Sequence, residues 1–255
     1  MTRRGFLLTP LVLAAQSSRP QVSLVWTSTG IPDAFARQAV VFPRAYTCCP
    51  DPIEAVWALE HGRFPHAARF TDPGLWDYFD HGPEGSTITV MTSHSADGKD
   101  SAFDRSIHVP FAIRWPGRLT PQVANQILFS HADLLPTLLT LAGIAPPASV
   151  QGRDLSSLLL TGTGEVPESV YCEGSLGKRE EWRAVVRGFD KITWNLRDEI
   201  TGLYNVADDP HEETDLRDQR EQRLMRDSMY ALGHQWMDRL QDGRDAFGLR
   251  TRRPV

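Results

Sequence analysis

Three short, continuous apolar segments, separated by longer stretches, place the strongest constraint on what this chain can fold into. They are VSLVW at residues 22–26, STITVMTS at 86–93 and PFAIRW at 110–115. Each is bounded by turn-forming residues and is too short for a buried helix, which is typical of strands covered on both faces. The intervening stretches leave room for helices. The sequence therefore predicts an α/β fold with a largely parallel sheet flanked by helices.

The segment DLLPTLLTLAG, residues 133–143, is predicted to form one of those helices. Asp133 precedes it as a capping residue, and Pro136 falls in the first turn, where the missing N–H costs little. Gly143 ends it in a left-handed conformation. Its leucines cover most of the helix circumference, so we expect this helix to be buried against the sheet.

A change of pattern after residue 162 predicts a second, smaller unit. Residues 161–181 are rich in glycine and charged residues, and we place a boundary there between a main α/β domain, residues 19–162, and a C-terminal α+β subdomain, residues 163–255. Beyond it, WRAVVRG and FDKITWNL predict a hairpin about Gly188, and GLYNV predicts a third strand. A long helix is expected to follow, and its apolar stripe consists of Met225, Met229, Leu232, Trp236 and Leu240.

Residues 1–18 have the pattern of an export leader. Two arginines precede an apolar run from Phe6 to Ala15, which is too short to span a bilayer. The order of the two arginines and the apolar residues that follow them is similar to that of a twin-arginine signal. This order predicts a periplasmic or secreted protein. A buried first helix is the alternative, which Pro10 disfavours because proline interrupts helices. No other apolar stretch of the sequence is long enough for a membrane span.

The charge and the cysteines exclude several classes of protein. The formal net charge of −5 at pH 7 gives no reason to expect nucleic acid or an anionic membrane surface as a partner. A small soluble substrate and a neutral glycan fit this charge equally well. Cys48, Cys49 and Cys172 cannot build a disulfide framework, because adjacent cysteines pair only with strain and a bridge to Cys172 would leave one thiol free.

Three regions of the sequence carry a family resemblance. They resemble motifs of the sulfatase family in the alkaline phosphatase superfamily, and they occur in the same order. The three segments are GKDSAFDRSIHVPFAIRWPG at 98–117, SHADLLPTLLTLAGIAPPASVQGRDLSSLLLTG at 130–162, and RAVVRGFDKITWN through GLYNVADDPHEETDL at 183–216. The resemblance implies an α/β fold with an alkaline-phosphatase-like mixed sheet flanked by helices, and a small C-terminal antiparallel sheet with a helix. It also implies a sulfuric ester hydrolase whose substrate is a sulfated small molecule or glycan.

The same resemblance implies a divalent ion, calcium or magnesium, held by acidic residues after the first strand and at the end of a later one. Such an ion would neutralise the charge of a sulfate ester. The corresponding positions here are Ser28 and Thr29, and His94 and Ser95. None of these side chains carries a negative charge, so we expect no tightly bound calcium or magnesium. The acidic residues that loops could bring in as substitutes are Asp51, Asp97 and Asp100.

The nucleophile position is altered as well. In active members of the family a cysteine in a Cys-x-Pro-Ser-Arg signature is oxidised to formylglycine, and the nearest match is CCPDP at 48–52. This places Cys48 as the candidate catalytic residue, with Asp51 and Pro52 where serine and arginine would stand. A second alignment, counted back from Gly62, puts Pro52 itself at the nucleophile position.

Two basic residues are the candidate substrate ligands. The resemblance places Lys99, in a Gly-Lys pair, where the family lysine contacts the sulfate, which makes it both a catalytic and a substrate-binding candidate. His108, within SIHVP, is the second substrate-binding candidate. The alternatives are an exposed lysine in a turn and a histidine packed at the entry to a strand.

Two functions are consistent with these residues. The first is an exported sulfuric ester hydrolase with impaired activity, and the second is a non-catalytic relative that binds an anion or glycan, or a decayed gene product. The short interval between CCPDP and TVMTS predicts uncovered sheet edges, and hence a partner or oligomer that covers them.

Overall fold

The computed structural model describes residues 20–68, 72–82, 87–95 and 97–242; the segment interpreted as an export leader lies outside these residues. The described strands are β1 Gln21–Trp26, β2 Val40–Val41, β3 Ala45–Tyr46, β4 Asp80–His81, β5 Ile88–Thr92, β6 His108–Val109, β7 Phe111–Arg114, β8 Gln122–Val123, β9 Phe129–Ser130, β10 Ser169–Gly174, β11 Trp182–Arg187, β12 Asp190–Asn195 and β13 Ile200–Asn205. The helices are α1 Asp33–Ala36, α2 Pro52–His61, α3 Leu75–Tyr78, α4 Asp104–Ile107, α5 Leu134–Leu141, α6 Ser156–Thr161 and α7 Arg223–Leu240. None of these helices combines the length and apolar character needed to cross a bilayer.

The main sheet contains all three of the apolar segments that the sequence singles out. Its strand order is β4-β1-β5-β7-β2-β8, and β1 runs parallel to β5 as expected. The prediction of a largely parallel sheet is wrong for the third segment, because β7 pairs antiparallel with β5. A continuous apolar run reports burial on both faces and carries no information about strand direction. The result is the mixed sheet that the family resemblance implies.

Helix α5 is buried against this sheet, and its leucines contribute to the main hydrophobic core. The expectation that Asp133 caps α5 is wrong in detail. Its carboxylate accepts the Ser130 backbone N–H at 2.9 Å, which caps the preceding 3₁₀ turn, His131–Asp133, and it pairs with Arg153 at 2.7 Å. Gly143 follows the helix with a φ of +78°, which is the left-handed conformation that glycine adopts without strain.

The C-terminal region forms a four-stranded antiparallel sheet in the order β10-β11-β12-β13. The hairpin about Gly188, the third strand and the long helix α7 are confirmed. Met229, Trp236 and Leu240 of α7 are buried against the sheet, and each buried side chain of this kind contributes about 1.5–3 kcal/mol. Gly233 allows close approach, because a Cβ there would lie 2.6 Å from the Trp194 ring.

Strand β10 was not anticipated by the sequence interpretation. It lies within the segment assigned to the domain boundary and is buried along its whole length. It also contacts the main domain, since the Glu173 N–H donates to the Cys48 carbonyl at 2.8 Å. The division at residues 162 and 163 stays a prediction.

Candidate functional site

The carboxyl ends of β1 and β5 meet at one edge of the main sheet. The two strands are parallel neighbours, with Trp26 opposite Thr92, and the Thr27 N–H donates to the Thr92 carbonyl at 2.8 Å. The residues that follow these strands therefore share one edge. This fold brings the candidate metal positions after β1 and after β5 to the same edge, which we call the strand-end site: Ser28, Thr29, His94 and Ser95.

The turn after β1 presents neutral hydroxyl groups. Thr27 Oγ1 donates to the Gly30 carbonyl at 2.9 Å and accepts the Thr29 N–H at 3.2 Å. Gly30 has a φ of +91°, which lets the chain turn here. Ser28 and Thr29 are exposed, so this half of the site offers oxygen atoms without charge.

The turn after β5 contains a carboxylate, but it is engaged locally. Asp97 Oδ1 accepts the Lys99 N–H at 3.0 Å, and Asp97 Oδ2 lies 3.5 Å from Arg105 Nε. Ser95 Oγ accepts the Gly98 N–H at 3.1 Å. Asp97 therefore supports the shape of its own turn and neutralises a neighbouring guanidinium.

The other candidate acidic substitutes are engaged elsewhere. Asp51 caps α2, since its Oδ1 accepts the N–H groups of Ile53 and Glu54. Asp100 accepts the backbone N–H and the hydroxyl of Ser175. Calcium and magnesium require carboxylate-rich oxygen sites, and the strand-end site supplies hydroxyls and an imidazole. The residues present do not fit either ion.

Cys48 lies in the short segment between β3 and α2 and is completely buried. Its Sγ is 3.2 Å from Ser130 Oγ. Burial raises the pKa of the Cys48 thiol to about 12, although the hydrogen bonds from Ser130 and the Ala132 backbone oppose the rise. The thiol is therefore neutral near pH 7, and its nucleophilic role stays a prediction.

All three cysteines are free thiols and all are buried. Cys49 donates to Glu54 Oε2 at 2.8 Å. Burial also raises the pKa of Cys49 and of Cys172 well above the ordinary value. None of the three has the exposed, electropositive surroundings that make a cysteine reactive.

Lys99 and His108 lie at opposite ends of a segment that presents cations. Lys99 is exposed, and its turn is linked through Asp97 to Arg105. His108 Nδ1 lies 3.3 Å from the carboxylate of Asp104, and its Nε2 donates to the Pro43 carbonyl at 2.7 Å. Burial lowers the pKa of His108, but its hydrogen bond to Asp104 and that carboxylate's charge outweigh this, so the pKa lies above the ordinary value.

His108 also lines a surface cleft of about 290 Å³ with apolar neighbours that include Val41, Phe42 and Phe111. A larger cleft, of about 540 Å³, lies between α6 and α7 and is lined by Arg153, Trp236 and Arg239 among others. None of the candidate site residues lines the larger cleft.

The sequence interpretation missed His131. This residue is completely buried beside the end of β5, with its Nε2 3.1 Å from Thr92 Oγ1. Burial, together with the nearby His94 imidazole, lowers the pKa of His131 to about 3. Within the described part of the chain, the Nδ1 atoms of His131 and His94 and the Oγ atom of Ser93 are buried without a hydrogen-bond partner. The sequence feature that could have indicated a buried histidine is the position of His131 between a strand and a buried helix.

The sequence also gave no indication of a buried charge network around Glu173. The Glu173 carboxylate accepts the backbone N–H of His66 at 2.9 Å and contacts His66 Nδ1 at 2.6 Å. Arg183 lies 3.8 Å from Glu173 and also binds Asp242. One ligand atom each from His66, Glu173 and Asp242 lies within 4.8 Å of the others. These ligand atoms are already engaged in the structure, because Arg183 pairs with Asp242 and His66 pairs with Glu173.

Comparison with known proteins identifies a consistent set of relatives. A family model described as the C-terminal region of N-sulphoglucosamine sulphohydrolase matches residues 94–237. The chain is 34% identical over 107 residues to the endo-4-O-sulfatase of Bacteroides thetaiotaomicron, which covers 40% of this chain and 20% of that protein. The chain thus matches about a fifth of the length of this curated relative.

Two solved structures are similar in fold. A 2-O GAG sulfatase superposes with a TM-score of 0.72 at 15% identity, over 88% of this chain and 93% of that chain. A protein in complex with its substrate D-glucosamine-2-N,6-O-disulfate superposes with a TM-score of 0.55 at 17% identity, over 61% of this chain and 35% of that chain. At these identities the similarity concerns the fold.

Proposed function

The chain belongs to the sulfatase family, because the family model for the C-terminal region of N-sulphoglucosamine sulphohydrolase matches more than half of the 255 residues. We propose that this protein binds sulfate esters and that its hydrolytic activity is impaired. Fold and family alone do not decide between hydrolysis and binding, because function depends on the site.

The charge of the strand-end site carries this proposal. Hydrolysis of a sulfate ester requires positive charge next to the transferred group, and a bound divalent ion supplies it. Ser28, Thr29, His94 and Ser95 contribute no carboxylate to hold such an ion, and Asp97 is engaged with Arg105 and with its own turn. The site therefore lacks the anionic groups on which catalysis by calcium or magnesium depends.

The state of Cys48 supports the same conclusion. An unconverted cysteine could attack only as the thiolate, and a pKa of about 12 leaves Cys48 almost entirely protonated at neutral pH. In the folded protein the Cys48 side chain is completely buried. In place of the signature serine and arginine, Asp51 caps helix α2 and Pro52 begins it.

Binding of an anion remains chemically reasonable. Lys99 is exposed and has no ion-pair partner among the described residues, and Arg105 and His108 lie on the same segment. Cationic donors of this kind form charge-assisted hydrogen bonds with sulfate oxygens. We therefore assign Lys99 to sulfate binding. Both ring nitrogens of His108 are already engaged, one with Asp104 and one with the Pro43 carbonyl, so its role as a second contact stays a prediction.

We propose that the ligand is a sulfated saccharide. One relative is named as an endo-4-O-sulfatase, and one protein of similar fold was solved with D-glucosamine-2-N,6-O-disulfate. We further propose that residues 1–18 direct the protein to the periplasm or outside the cell, where such a ligand would be met. A partner or second copy that covers the edge strands β4 and β8 also belongs to this proposal.

The test combines binding and turnover. Titration calorimetry with D-glucosamine-2-N,6-O-disulfate should show binding, and Lys99→Ala should weaken it by about tenfold, the loss of one hydrogen bond to a charged group. Arg223→Ala is the control, since Arg223 is also an exposed cation and lies on helix α7. An aryl sulfate should not be hydrolysed, with or without calcium.

Mass spectrometry of the peptide containing Cys48 completes the experiment. An intact thiol, together with saccharide binding and no turnover, is the expected result. Metal-dependent turnover that Cys48→Ala abolishes, with a peptide mass corresponding to formylglycine, would establish an active hydrolase instead. Equal binding by the Lys99→Ala and Arg223→Ala variants would remove Lys99 from the proposed site.

A further inference from the structure

A buried ion pair in the C-terminal region holds two backbone groups of the main domain. The pair joins Lys191 of β12 to Glu212, which lies between β13 and α7, and each side chain is only 1% exposed. Lys191 Nζ donates to the Ala102 carbonyl at 2.5 Å. Glu212 Oε2 accepts the backbone N–H of Asp104 at 2.6 Å. The pair therefore fixes the backbone on both sides of a single intervening residue.

The anchored backbone belongs to the segment that presents Lys99. This segment runs from residue 99 to residue 108, and we call it the Lys99 segment. We infer that Lys191 and Glu212 are positioning residues, which hold the Lys99 segment in the orientation that binds the sulfate group of a sulfated saccharide. The inference rests on the proposed function, because it assigns a role in the binding of the same ligand.

The chemistry of the pair favours positioning over stabilisation. Removal of two charges from water costs so much free energy that apolar residues of similar volume often stabilise a fold equally well or better. Apolar side chains cannot, however, bind a carbonyl oxygen and an N–H group of a loop. Lys191 and Glu212 make both of these contacts, and hydrogen bonds to charged groups are stronger than those between neutral groups.

The conformation of Glu212 is directed to the same contacts. Its φ is +56°, a left-handed conformation that is unfavourable for a residue with a side chain and that persists only where the surroundings hold it. From this conformation its carboxylate reaches both Lys191 and the Asp104 N–H. A further contact from the C-terminal sheet lies next to Lys99, since Asp100 accepts the N–H and the hydroxyl of Ser175.

The position of Lys99 depends on the backbone of its segment, because its side chain is exposed. Two contacts connect the ends of the segment. Ser101 Oγ lies 2.6 Å from Ser106 Oγ, and the Asp97 carboxylate links the Lys99 N–H to the Arg105 guanidinium. Displacement of the anchored backbone is therefore expected to displace Lys99.

The test removes both charges together, so that no unpaired charge stays buried. The double variant Lys191→Met with Glu212→Leu should fold, since such replacements are often neutral or stabilising. Titration calorimetry should show about tenfold weaker binding of D-glucosamine-2-N,6-O-disulfate, the loss expected when Lys99 is correctly placed about a tenth of the time. The matched control is Arg63→Met with Asp72→Leu, a pair whose side chains are each 12% exposed and which lies outside the Lys99 segment. This control should bind like the unaltered protein.

Amide hydrogen exchange without ligand measures the order of the segment itself. The N–H groups of Lys99 and Ser106 donate to Asp97 and to the Phe103 carbonyl, and the double variant retains both acceptors. Exchange that is about tenfold faster at these two amides would therefore report opening of the segment, and this is the expected result. The amide of Arg197, in the turn between β12 and β13, should exchange at an unchanged rate.

A third measurement needs no variant. If the ion pair and the ligand favour the same orientation of the segment, then the ligand must stabilise the anchored backbone in return. Addition of the disulfated glucosamine to the unaltered protein should therefore slow exchange of the Asp104 amide and leave that of Arg197 unchanged.

The outcomes separate this inference from the proposed function. Equal affinity of the double variant and the unaltered protein, unchanged exchange at Lys99 and Ser106, or an Asp104 amide that does not respond to the ligand would each overturn the inference alone. The same loss of affinity in the control variant would assign the effect to stability and would overturn it as well. Absence of saccharide binding by the unaltered protein would overturn the proposed function and, with it, the role in binding assigned to the pair.

Discussion

The backbone N–H of Glu173 donates a 2.8 Å hydrogen bond to the carbonyl oxygen of Cys48. This bond joins the segment that carries the candidate nucleophile to strand β10 of the C-terminal sheet. The side chain of Glu173 makes a second connection, because it binds both the backbone and the ring of His66. Cys48 is thus part of the packing between the two halves of the chain, as well as the residue that aligns with the family nucleophile.

Cys48 is expected to be chemically inert in the folded protein. With a pKa of about 12, only about one thiol in ten thousand is ionised at pH 8, and the side chain is completely buried. Ellman's reagent should label no thiol of the native protein within minutes and all three after denaturation in guanidinium chloride. Cys48→Ala serves as the control and should remove one thiol from the denatured count. Rapid labelling of native Cys48 would contradict the burial described here.

Gly152 is expected to tolerate no side chain. A Cβ at this position would lie 1.9 Å from the Ala132 carbonyl oxygen, and backbone atoms cannot move away as a flexible side chain can. Gly152→Ala should therefore destabilise the protein by more than about 3 kcal/mol, in the range of severe packing defects, as measured by urea denaturation. Gly74→Ala is the control, because a Cβ there would meet only the ring of His61 at 3.0 Å. Equal stability of the two variants would show that the backbone can relax at Gly152.

The elements that the sequence predicted well are those whose local pattern reports burial. The apolar runs that became β1, β5 and β7, and the stripe on α7, depend only on which residues face the core. The direction of β7 could not be predicted from the sequence, because a strand buried on both faces has the same composition in either orientation. Strand β10, residues 169–174, was missed because the segment around it is rich in glycine and charged residues, which is typical of a loop. The strand itself contains Glu173, a residue type that is usually exposed although it is buried here.

The candidate site shows a similar limit. Alignment with family motifs assigned Ser28, Thr29 and His94 to metal-ligand positions, and the parallel pairing of β1 and β5 brings these residues to one edge of the sheet. Their role stays a prediction. His131 was missed because its contact with Thr92 joins residues far apart in sequence. Such a contact arises from packing of the chain, which a local motif does not report.

The ion pair between Arg153 and Asp133 is expected to be important for stability. Its side chains are 18% and 2% exposed and lie 2.7 Å apart, and Arg153 also donates to the carbonyls of Ser169 and Leu128. Arg153→Ala would leave a buried carboxylate without its partner, which should cost about 3–5 kcal/mol of unfolding free energy.

The control for that prediction is an exposed pair in the same chain. Arg223 and Asp227 lie 3.8 Å apart with side chains 73% and 54% exposed, and Arg223→Ala should change the unfolding free energy by less than about 0.5 kcal/mol. Both variants are compared by urea denaturation at the same salt concentration. Similar small effects would show that Asp133 finds other partners when Arg153 is removed.

His66 is expected to make the stability of the protein depend on pH above neutrality. Burial lowers the pKa of His66, but the charge of Glu173 and its hydrogen bond outweigh this effect, so the pKa stands at about 9. The folded state therefore holds a proton that the unfolded chain releases near pH 6.5. The stabilisation is complete below pH 6.5 and is lost as the pH rises through about 9, and its full size is on the order of 3 kcal/mol.

The other charged groups that face His66 do not titrate in this window. Arg183 keeps its charge, the pKa of Asp242 is lowered by its hydrogen bond to Arg183 despite burial, and the pKa of Tyr171 is raised well above its ordinary value by burial. Urea denaturation at intervals between pH 6 and 9 should therefore show a falling unfolding free energy for the unaltered protein and a flatter curve for His66→Gln. The difference between the two curves isolates His66 from His108, whose pKa is raised as well. Parallel curves would mean that His66 is neutral in the folded protein and that Glu173 is balanced by Arg183 alone.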